Sequence, residues 1–179
     1  MPRPIRLALC LFAGACASRP AVQSAAQPSD APTPSPAARV AALPVDAPCE
    51  LSTPLTPGVP GSPGNLIKSS RNPNGVSELA SLMRVFVDDL YEARRNIEAG
   101  QPVQKLHRVH RRMRCSWPSS PEQRDAGFDQ RAQVYLGIVQ AFDAQPSQAT
   151  YNAIIASCIS CHAQSCGGPL EFIGGMTWQ

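Results

Sequence analysis

The sequence predicts an all-α protein: an antiparallel, up-down-up-down four-helix bundle preceded by a disordered N-terminal tether. Three observations support this fold class. Apolar residues recur at steps of three and four in four successive segments after residue 77. Short stretches containing proline or glycine separate these segments, and no strand pattern is visible among them. Helices of similar length joined by short loops typically pack antiparallel as a bundle.

Residues 1–16 are typical of an export signal. Arg3 and Arg6 precede a short apolar run at residues 7–13, which is too short to span a membrane. Small residues then lead to Cys16, as in bacterial lipoproteins whose mature chain begins with a lipidated cysteine. We therefore expect a lipid on Cys16, while the same residues also suit ordinary signal cleavage. Either way, the mature chain is expected on the periplasmic side of the bacterial envelope.

Residues 17–76 contain twelve prolines and show no helical or strand periodicity. Such a composition buries too little apolar surface to offset the entropy lost on ordering. The sequence therefore predicts a disordered tether between the lipid anchor and a folded part at residues 77–179. Ten Lys or Arg balance ten Asp or Glu in that folded part. We expect no nucleic-acid partner, because no basic excess attracts a phosphate backbone.

The first two predicted helices lie at residues 77–115. Ser77 is a suitable N-cap for the first helix, and Gly100 follows its end. Its apolar stripe comprises Leu79, Leu82, Met83, Phe86, Leu90, Tyr91, Ala93 and Ile97. Pro102 opens the second helix, which runs to Cys115. One face of this helix is apolar, with Leu106, Val109 and Met113. Its other faces carry five cations, Lys105, Arg108, Arg111, Arg112 and Arg114.

The third and fourth predicted helices lie at residues 120–166. Ser120 and Gln123 have capping-box spacing with a proline between them, which predicts a helix start. The apolar stripe that follows is Phe128, Ala132, Tyr135, Ile138, Val139 and Phe142. Pro146 opens the fourth helix, which turns inward Tyr151, Ile154, Ile155, Cys158 and His162. The Gly-Gly-Pro sequence at residues 167–169 ends it and leaves a short C-terminal tail.

The fourth helix contains Cys-x-x-Cys-His at residues 158–162, the attachment signature of a c-type haem. Because residues three and four apart share one helix face, Cys158, Cys161 and His162 can all point at one flat ligand. The two thiols would bond the haem vinyl groups, and the His162 imidazole would bind the iron as proximal ligand. The sequence therefore predicts one covalently bound haem c.

Four other interpretations of these residues remain open. They are a redox dithiol, a structural zinc site completed by Cys115 and Cys166, a Cys158–Cys161 disulfide, and chance occurrence of a short motif. A dithiol motif normally opens a helix beside a strand, and no strand pattern precedes this one. A simple disulfide would leave His162 without a role. Export and the helical context favour haem attachment.

The chain resembles the cytochrome c prime family of four-helix-bundle cytochromes. The resemblance covers residues 77–162 and depends on the haem motif in the last helix and on Glu-Leu-Ala-Ser-Leu-Met at residues 78–83. Ordinary small cytochromes c have the motif near their start, whereas only 17 residues follow His162 here. The resemblance implies an electron carrier. No nucleophile and base have recognisable catalytic spacing, so we expect no enzyme.

The resemblance also implies a second iron ligand. Low-spin members of the family take it from a methionine early in the first helix, where this chain has Met83. Antiparallel topology would bring Met83 to the end of the bundle where His162 lies. Met113 is the alternative at the same end, and Met176 in the tail is a weaker one.

Two further functions remain open. Without Met83 on the iron, the protein would be a five-coordinate, gas-binding haem protein with Leu79, Leu82 and Phe86 around the ligand. The other is a haem-free envelope lipoprotein whose cysteines form structural disulfides. The oligomeric state is also open, with a dimer as one option.

Three cysteines remain after the signal, the lipid and the haem are accounted for. Cys115 and Cys166 end the second and fourth helices at the same end of an antiparallel bundle, so we expect a Cys115–Cys166 disulfide. Cys49 is then unpaired, and its pairing would change the assignment.

The basic second helix is the candidate surface for a partner. An acidic redox protein is expected to dock near Arg108, Arg111 and Arg112, unless this face is merely solvated. We expect His107 and His110, on the same helix, to be solvated.

Overall fold

The described part of the chain is mostly α-helical, as predicted. The computed structural model describes residues 47–179, which form five α-helices and one two-stranded sheet. The elements are β1 (Ile67–Ser69), β2 (Asn72–Val76), α1 (Glu78–Glu98), α2 (His107–His110), α3 (Ala126–Ala144), α4 (Gln148–Ser165) and α5 (Leu170–Gly175). Short 3-10 segments lie at Arg111–Cys115 and Pro121–Gln123. The predicted export signal, Cys16 and the first part of the predicted tether lie outside the described residues.

Two short strands form an antiparallel hairpin within the predicted tether. Ile67 pairs with Val76, and Ser69 pairs with Asn72. The sequence analysis found no strand, because β2 reads Asn-Pro-Asn-Gly-Val and proline and glycine are poor strand formers. The hairpin therefore corrects the expectation of an unstructured segment up to residue 76.

The chain upstream of the hairpin is also bound to the helical part. The carbonyl of Thr56 accepts a hydrogen bond from the Trp117 indole at 2.7 Å. The carbonyls of Glu50 and Thr53 each accept one from the Arg124 guanidinium, also at 2.7 Å. These acceptors belong to the backbone, which every residue type supplies, so composition gives no sign of the contacts. The predicted tether is thus too long at its C-terminal end.

α1 begins and ends where the sequence predicts. The Ser77 hydroxyl accepts a hydrogen bond from the Ala80 amide at 3.2 Å. Gly100 has a φ of 63°, in the left-handed region that suits glycine after a helix. The buried face consists of Ser81, Leu82, Val85, Phe86, Leu90 and Ala93. Tyr91, expected on this face, is 38% exposed.

The second predicted helix is shorter than expected. Its α-helical part is α2 alone, followed by 3-10 turns as far as Cys115. The Asp143 carboxylate on α3 accepts hydrogen bonds from the amides of Leu106 at 2.8 Å and His107 at 3.0 Å. Such amides lack intrahelical partners at a helix start. The helix therefore begins here and not at Pro102.

α3 also begins later than predicted. The capping box of Ser120 and Gln123 is present, but it caps the 3-10 turn at Pro121–Gln123. The carboxylate of Asp125 accepts a hydrogen bond from the Phe128 amide at 2.6 Å and caps α3 itself. Two successive start signals thus begin two separate elements.

α4 follows Pro146 as predicted, with Ser147 as its N-cap. The C-terminal tail then forms α5 and enters the core, which the sequence analysis did not expect. Ile173 and Met176 are buried. The Tyr151 hydroxyl on α4 donates a hydrogen bond to the Met176 carbonyl at 3.2 Å.

The core lies among α1, α3 and α4, with further side chains from α2 and α5. Each large apolar side chain buried there stabilises the fold by about 1.5–3 kcal/mol. The largest fully buried side chains include Leu82, Leu90, Phe142, Tyr151, Ile154 and Ile155. Among residues 47–179, no helix combines the length and apolar content needed to cross a bilayer.

Candidate cofactor site

The Cys-x-x-Cys-His motif lies near the C-terminal end of α4, beside an open cleft. Cys158, Cys161 and His162 are partly buried, and all three line this cleft. Both cysteines are free thiols, so the alternative Cys158–Cys161 disulfide is not formed. One helix face thus presents two thiols and an imidazole to the same space, as the spacing predicts.

The cleft is formed by side chains from four segments of the chain. α1 contributes Met83 and Phe86, the 3-10 segment contributes Met113, α3 contributes Tyr135, and α4 contributes the motif. About 290 Å³ of empty space lies among them, part of it open to solvent. The surface that its walls expose is almost entirely apolar.

Two of the three candidate methionines reach the cleft. Met83 is partly buried and Met113 is buried, and both line the cleft together with the motif. Met176 is buried beside α5 and bonds Tyr151 through its backbone. Phe86, from the expected gas-binding pocket, also lines the cleft. Leu79 and Leu82 were expected beside Phe86 in that pocket, but they pack in the core instead.

The His162 imidazole is oriented by a carbonyl in its own chain. Nδ1 lies 3.1 Å from the carbonyl oxygen of Cys166. A carbonyl only accepts hydrogen bonds, so Nδ1 carries the ring proton. The lone pair then belongs to Nε2, the nitrogen that remains for a metal. A bond of this kind is the usual way in which a metal-binding histidine is held in one tautomer.

The thiol of Cys158 is not the reactive dithiol of a redox enzyme. Burial raises its pKa to about 12, and the nearby Cys161 contributes to this increase. Redox-active cysteines instead have lowered pKa values and are thiolates near neutral pH. The pKa of Cys158 therefore argues against the dithiol interpretation.

The residues at the cleft fit a c-type haem. Two free thiols and an imidazole lie on one helix face, a methionine comes from α1, and the walls are apolar. Within residues 47–179, no group of three or more His, Cys, Asp or Glu side chains could hold a metal ion. A haem iron needs no such group, because the macrocycle supplies four of its ligands. A structural zinc ion would need one.

The predicted Cys115–Cys166 disulfide is wrong. Cys115 pairs with Cys49, and their Cα atoms are 5.1 Å apart. Cys166 is a free and exposed thiol at the end of α4. The reason is the folded segment before the hairpin, which brings Cys49 to the 3-10 segment. This pairing also removes Cys115 from the alternative zinc site.

His110, expected to be solvated, is completely buried. Its ring stacks on Phe86 with 3.8 Å between centroids. Nδ1 lies 2.7 Å from the Tyr135 hydroxyl, and Nε2 lies 3.3 Å from Oδ2 of Asp89. The spacing of four and three residues in Leu106, His110 and Met113 could have indicated this inward position. His107 is partly exposed, with Nε2 3.1 Å from the side-chain amide of Gln140.

The basic face is smaller than predicted. Of the three expected docking residues, Arg108 is exposed, whereas Arg111 and Arg112 are partly buried. Burial lowers the pKa of Arg112. Arg114 forms two hydrogen bonds to the Asp129 carboxylate, at 2.7 and 3.1 Å, and thereby holds the pKa of Asp129 below its usual range. Of the cations on this segment, Arg114 therefore stabilises the fold through Asp129, and Arg111 and Arg112 are only partly accessible to a partner.

Comparison of the chain with protein families, curated proteins and solved structures found no match. The site is therefore interpreted from its own geometry and from the motif in the sequence.

Proposed function

We propose that this chain is a c-type cytochrome of the cytochrome c prime type, which transfers electrons through one covalently bound haem c. The observation that carries the proposal is the convergence of Met83 with Cys158, Cys161 and His162 in one apolar cleft. The motif is local, but Met83 lies in the first helix, far away in the sequence. A chance occurrence of the motif would give no reason for a methionine and apolar walls beside it.

Each residue of the motif has a defined role in this proposal. The thiols of Cys158 and Cys161 would form thioether bonds to the two vinyl groups of the haem and would attach it to α4. His162 would bind the iron through Nε2, and its Nδ1–H bond to the Cys166 carbonyl holds the imidazole in place. When bound, the haem supplies one-electron exchange at its iron.

Met83 is the residue that would supply the second protein ligand of the iron, because it lines the cleft together with His162. Methionine paired with histidine raises the reduction potential of a haem iron. Such saturated coordination leaves no position for a substrate or gas, which fits an electron carrier. Met113 is the alternative, because it lines the same cleft.

The finer fold in this proposal is an antiparallel four-helix bundle with a shortened second member. α1, the helical segment at residues 107–115, α3 and α4 follow one another through short connections. α4 packs on both α1 and α3, as a bundle requires. α5 packs on α4 as an additional helix, which a four-helix bundle does not require.

The proposed location of the protein is the bacterial envelope, and the sequence of residues 1–16 supports it. Residues 1–16 are the export signal, a lipid on Cys16 anchors the chain, and the segment that follows acts as a tether. Haem attachment of this type also occurs outside the cytoplasm. The redox partner is an acidic protein that docks near Arg108, which is exposed. Arg111 and Arg112 contribute less, since both are partly buried.

The test is to produce the full chain with its export signal in a host competent for c-type haem maturation. We expect a low-spin absorption spectrum in both redox states and haem that stays attached after denaturation. Replacing both Cys158 and Cys161 with Ala should abolish attachment. Replacing Cys166 with Ala is the matched control, because it removes a free thiol of the same helix end and should leave attachment intact.

Two results would contradict the proposal. Absence of covalent haem from the unmodified chain would leave a haem-free lipoprotein. A high-spin spectrum with ready binding of carbon monoxide in the reduced state would indicate the gas-binding alternative instead.

A further inference from the structure

A line of hydrogen-bonded side chains connects the surface of the protein to the cleft. The Asp89 carboxylate is 3.3 Å from Nε2 of His110, and Nδ1 of His110 is 2.7 Å from the Tyr135 hydroxyl. The side chain of Tyr135 also lines the cleft, as does Cys158. We call Asp89, His110 and Tyr135 the buried triad.

The two ends of the triad meet different surroundings. Asp89 lines a small open pocket of about 200 Å³ together with Glu92, Asn96 and Gln104. Its side chain is 24% exposed, so water reaches the carboxylate. Tyr135 lines the apolar cleft beside Cys158. His110 lies between them with no exposed surface.

The hydrogen bonds define the protonation of the triad. The Asp89 carboxylate accepts, so Nε2 of His110 carries a proton, and Nδ1 then accepts from the Tyr135 hydroxyl. Burial lowers the pKa of His110, and the nearby His107 lowers it as well. Asp89 and the more distant Asp143 raise this pKa by a smaller amount. Burial also raises the pKa of Tyr135, which therefore keeps its proton. The ring of His110 is thus neutral near pH 7 and can take one more proton.

We propose that, at acidic pH, His110 binds one proton when the haem iron is reduced and releases it when the iron is oxidised, so that this protein then carries a proton with each electron. This inference rests on the proposed function. One electron from a reduced partner protein converts ferric to ferrous iron, and one proton passes from water to Nδ1 of His110. Oxidation by an acceptor protein reverses both transfers.

The sign of the coupling follows from charge. Reduction removes one positive charge from the cleft, and apolar surroundings screen that change only weakly. A positive charge on His110 is therefore less unfavourable next to the reduced site than next to the oxidised one. Protonated His110 also donates from Nδ1 to the Tyr135 oxygen, which turns the hydroxyl hydrogen away from His110. Both changes make the cleft more positive and stabilise the reduced state.

The experiment measures the reduction potential of the haem-loaded full chain at steps between about pH 5 and pH 8. We expect the potential to fall as the pH rises through the acidic part of this range and to level off above it. Proton NMR of the His110 ring in both redox states provides a second readout. The ring should titrate at a higher pH in the ferrous protein than in the ferric protein.

Four variants assign the effect, two of them as controls. His110→Gln should remove the slope, whereas His107→Gln should retain it. Because His110→Gln changes the core, Asp89→Asn is the second variant. It removes a charge that raises the pKa of His110, so the sloping region should move to lower pH. Asp88→Asn, which neutralises the adjacent exposed carboxylate, is its matched control and should leave the slope where it was.

A haem-loaded protein whose potential does not change with pH would overturn this inference and leave the proposed function intact. So would equal titration of His110 in the two redox states, or a slope that survives His110→Gln. A chain that acquires no covalent haem would overturn both proposals together.

Discussion

Met83 and Met113 are two thioethers at the edge of one cleft, and a haem iron held by His162 would have one axial position left. Sequence pattern could propose both residues but could not choose between them. They differ in burial, since Met113 is 3% exposed and Met83 is only partly buried. A core role is therefore better supported for Met113, and ligation for Met83.

Replacing Met83 with Ala is expected to convert the low-spin spectrum to a high-spin one, because the iron loses its second protein ligand. The reduced variant should then bind carbon monoxide. Absorption spectra with and without the gas would measure both effects.

Two other methionines provide the comparison for this variant. Met113→Ala should keep the low-spin spectrum and lower the free energy of unfolding by about 2–5 kcal/mol, as for a buried side chain. Met176→Ala, which alters a buried methionine away from the cleft, should also remain low-spin. A high-spin Met113→Ala variant beside a low-spin Met83→Ala variant would make Met113 the ligand.

The burial of His110 could not be predicted from the residues next to it in the sequence. Histidine on a helix rich in arginine suggests a solvated side chain. The structure instead buries it, with Asp89 and Tyr135 bound to its two nitrogens. The partners lie on two other helices, so the local sequence does not reveal them.

The segment before α1 changes how the folded part is held together. It bonds Trp117 and Arg124 through backbone carbonyls and forms the Cys49–Cys115 disulfide. This bridge ties the segment to the short 3-10 turns that replace the second half of the predicted helix. An element too short to be stable alone is thereby fixed from outside.

Replacing Cys49 with Ser is expected to lower the free energy of unfolding by about 4 kcal/mol. The bridge joins residues 66 apart, and a loop of this length lowers the entropy of the unfolded chain considerably. Urea denaturation of the oxidised proteins would measure the loss.

The same measurement separates this pairing from the one predicted by sequence. Cys166→Ser should cost almost nothing, because its thiol is free and exposed. A large loss in Cys166→Ser, with none in Cys49→Ser, would restore the Cys115–Cys166 bridge. Mapping of disulfide-linked peptides by mass spectrometry would decide the matter independently.

The boundaries of the elements show where local signals are sufficient. Ser77 and Ser147 cap α1 and α4 as their positions predict. Pro102 opens no helix, because the Asp143 carboxylate from α3 caps the chain at Leu106 and His107 instead. Caps supplied by the adjacent residues are readable from sequence, and a cap supplied by another helix is not.

Side chains that are far apart in the sequence converge on one apolar cleft that is open to solvent. Four segments contribute to its walls, and the core continues from it through α1, α3 and α4. Unfilled apolar space lacks the dispersion contacts of a packed interior. Haem would therefore complete the packing of the fold as well as provide its chemistry.

Loss of haem is expected to lower the free energy of unfolding by about 3 kcal/mol or more, since emptying a core site of a single side chain already costs about 2–5 kcal/mol. The thermal midpoint should fall by about 10 °C. Calorimetry of the unmodified chain, produced with and without haem maturation, would measure this difference. The Cys158→Ala/Cys161→Ala double variant should match the haem-free protein, and equal midpoints with and without haem would contradict the expectation.

The sequence by itself determined the helical character of the chain, the starts of α1 and α4 and the position of the Cys-x-x-Cys-His motif on one face of α4. These features depend on residues within one or two helical turns of each other. They can therefore be predicted from the spacing of apolar residues and from the capping residues. Only the tertiary structure decided that Cys49 pairs with Cys115, that His110 is buried and that Met83 and Met113 share a cleft with the motif. Those contacts join segments far apart in the chain, and their energies depend on the path of the backbone between them, which no local pattern specifies.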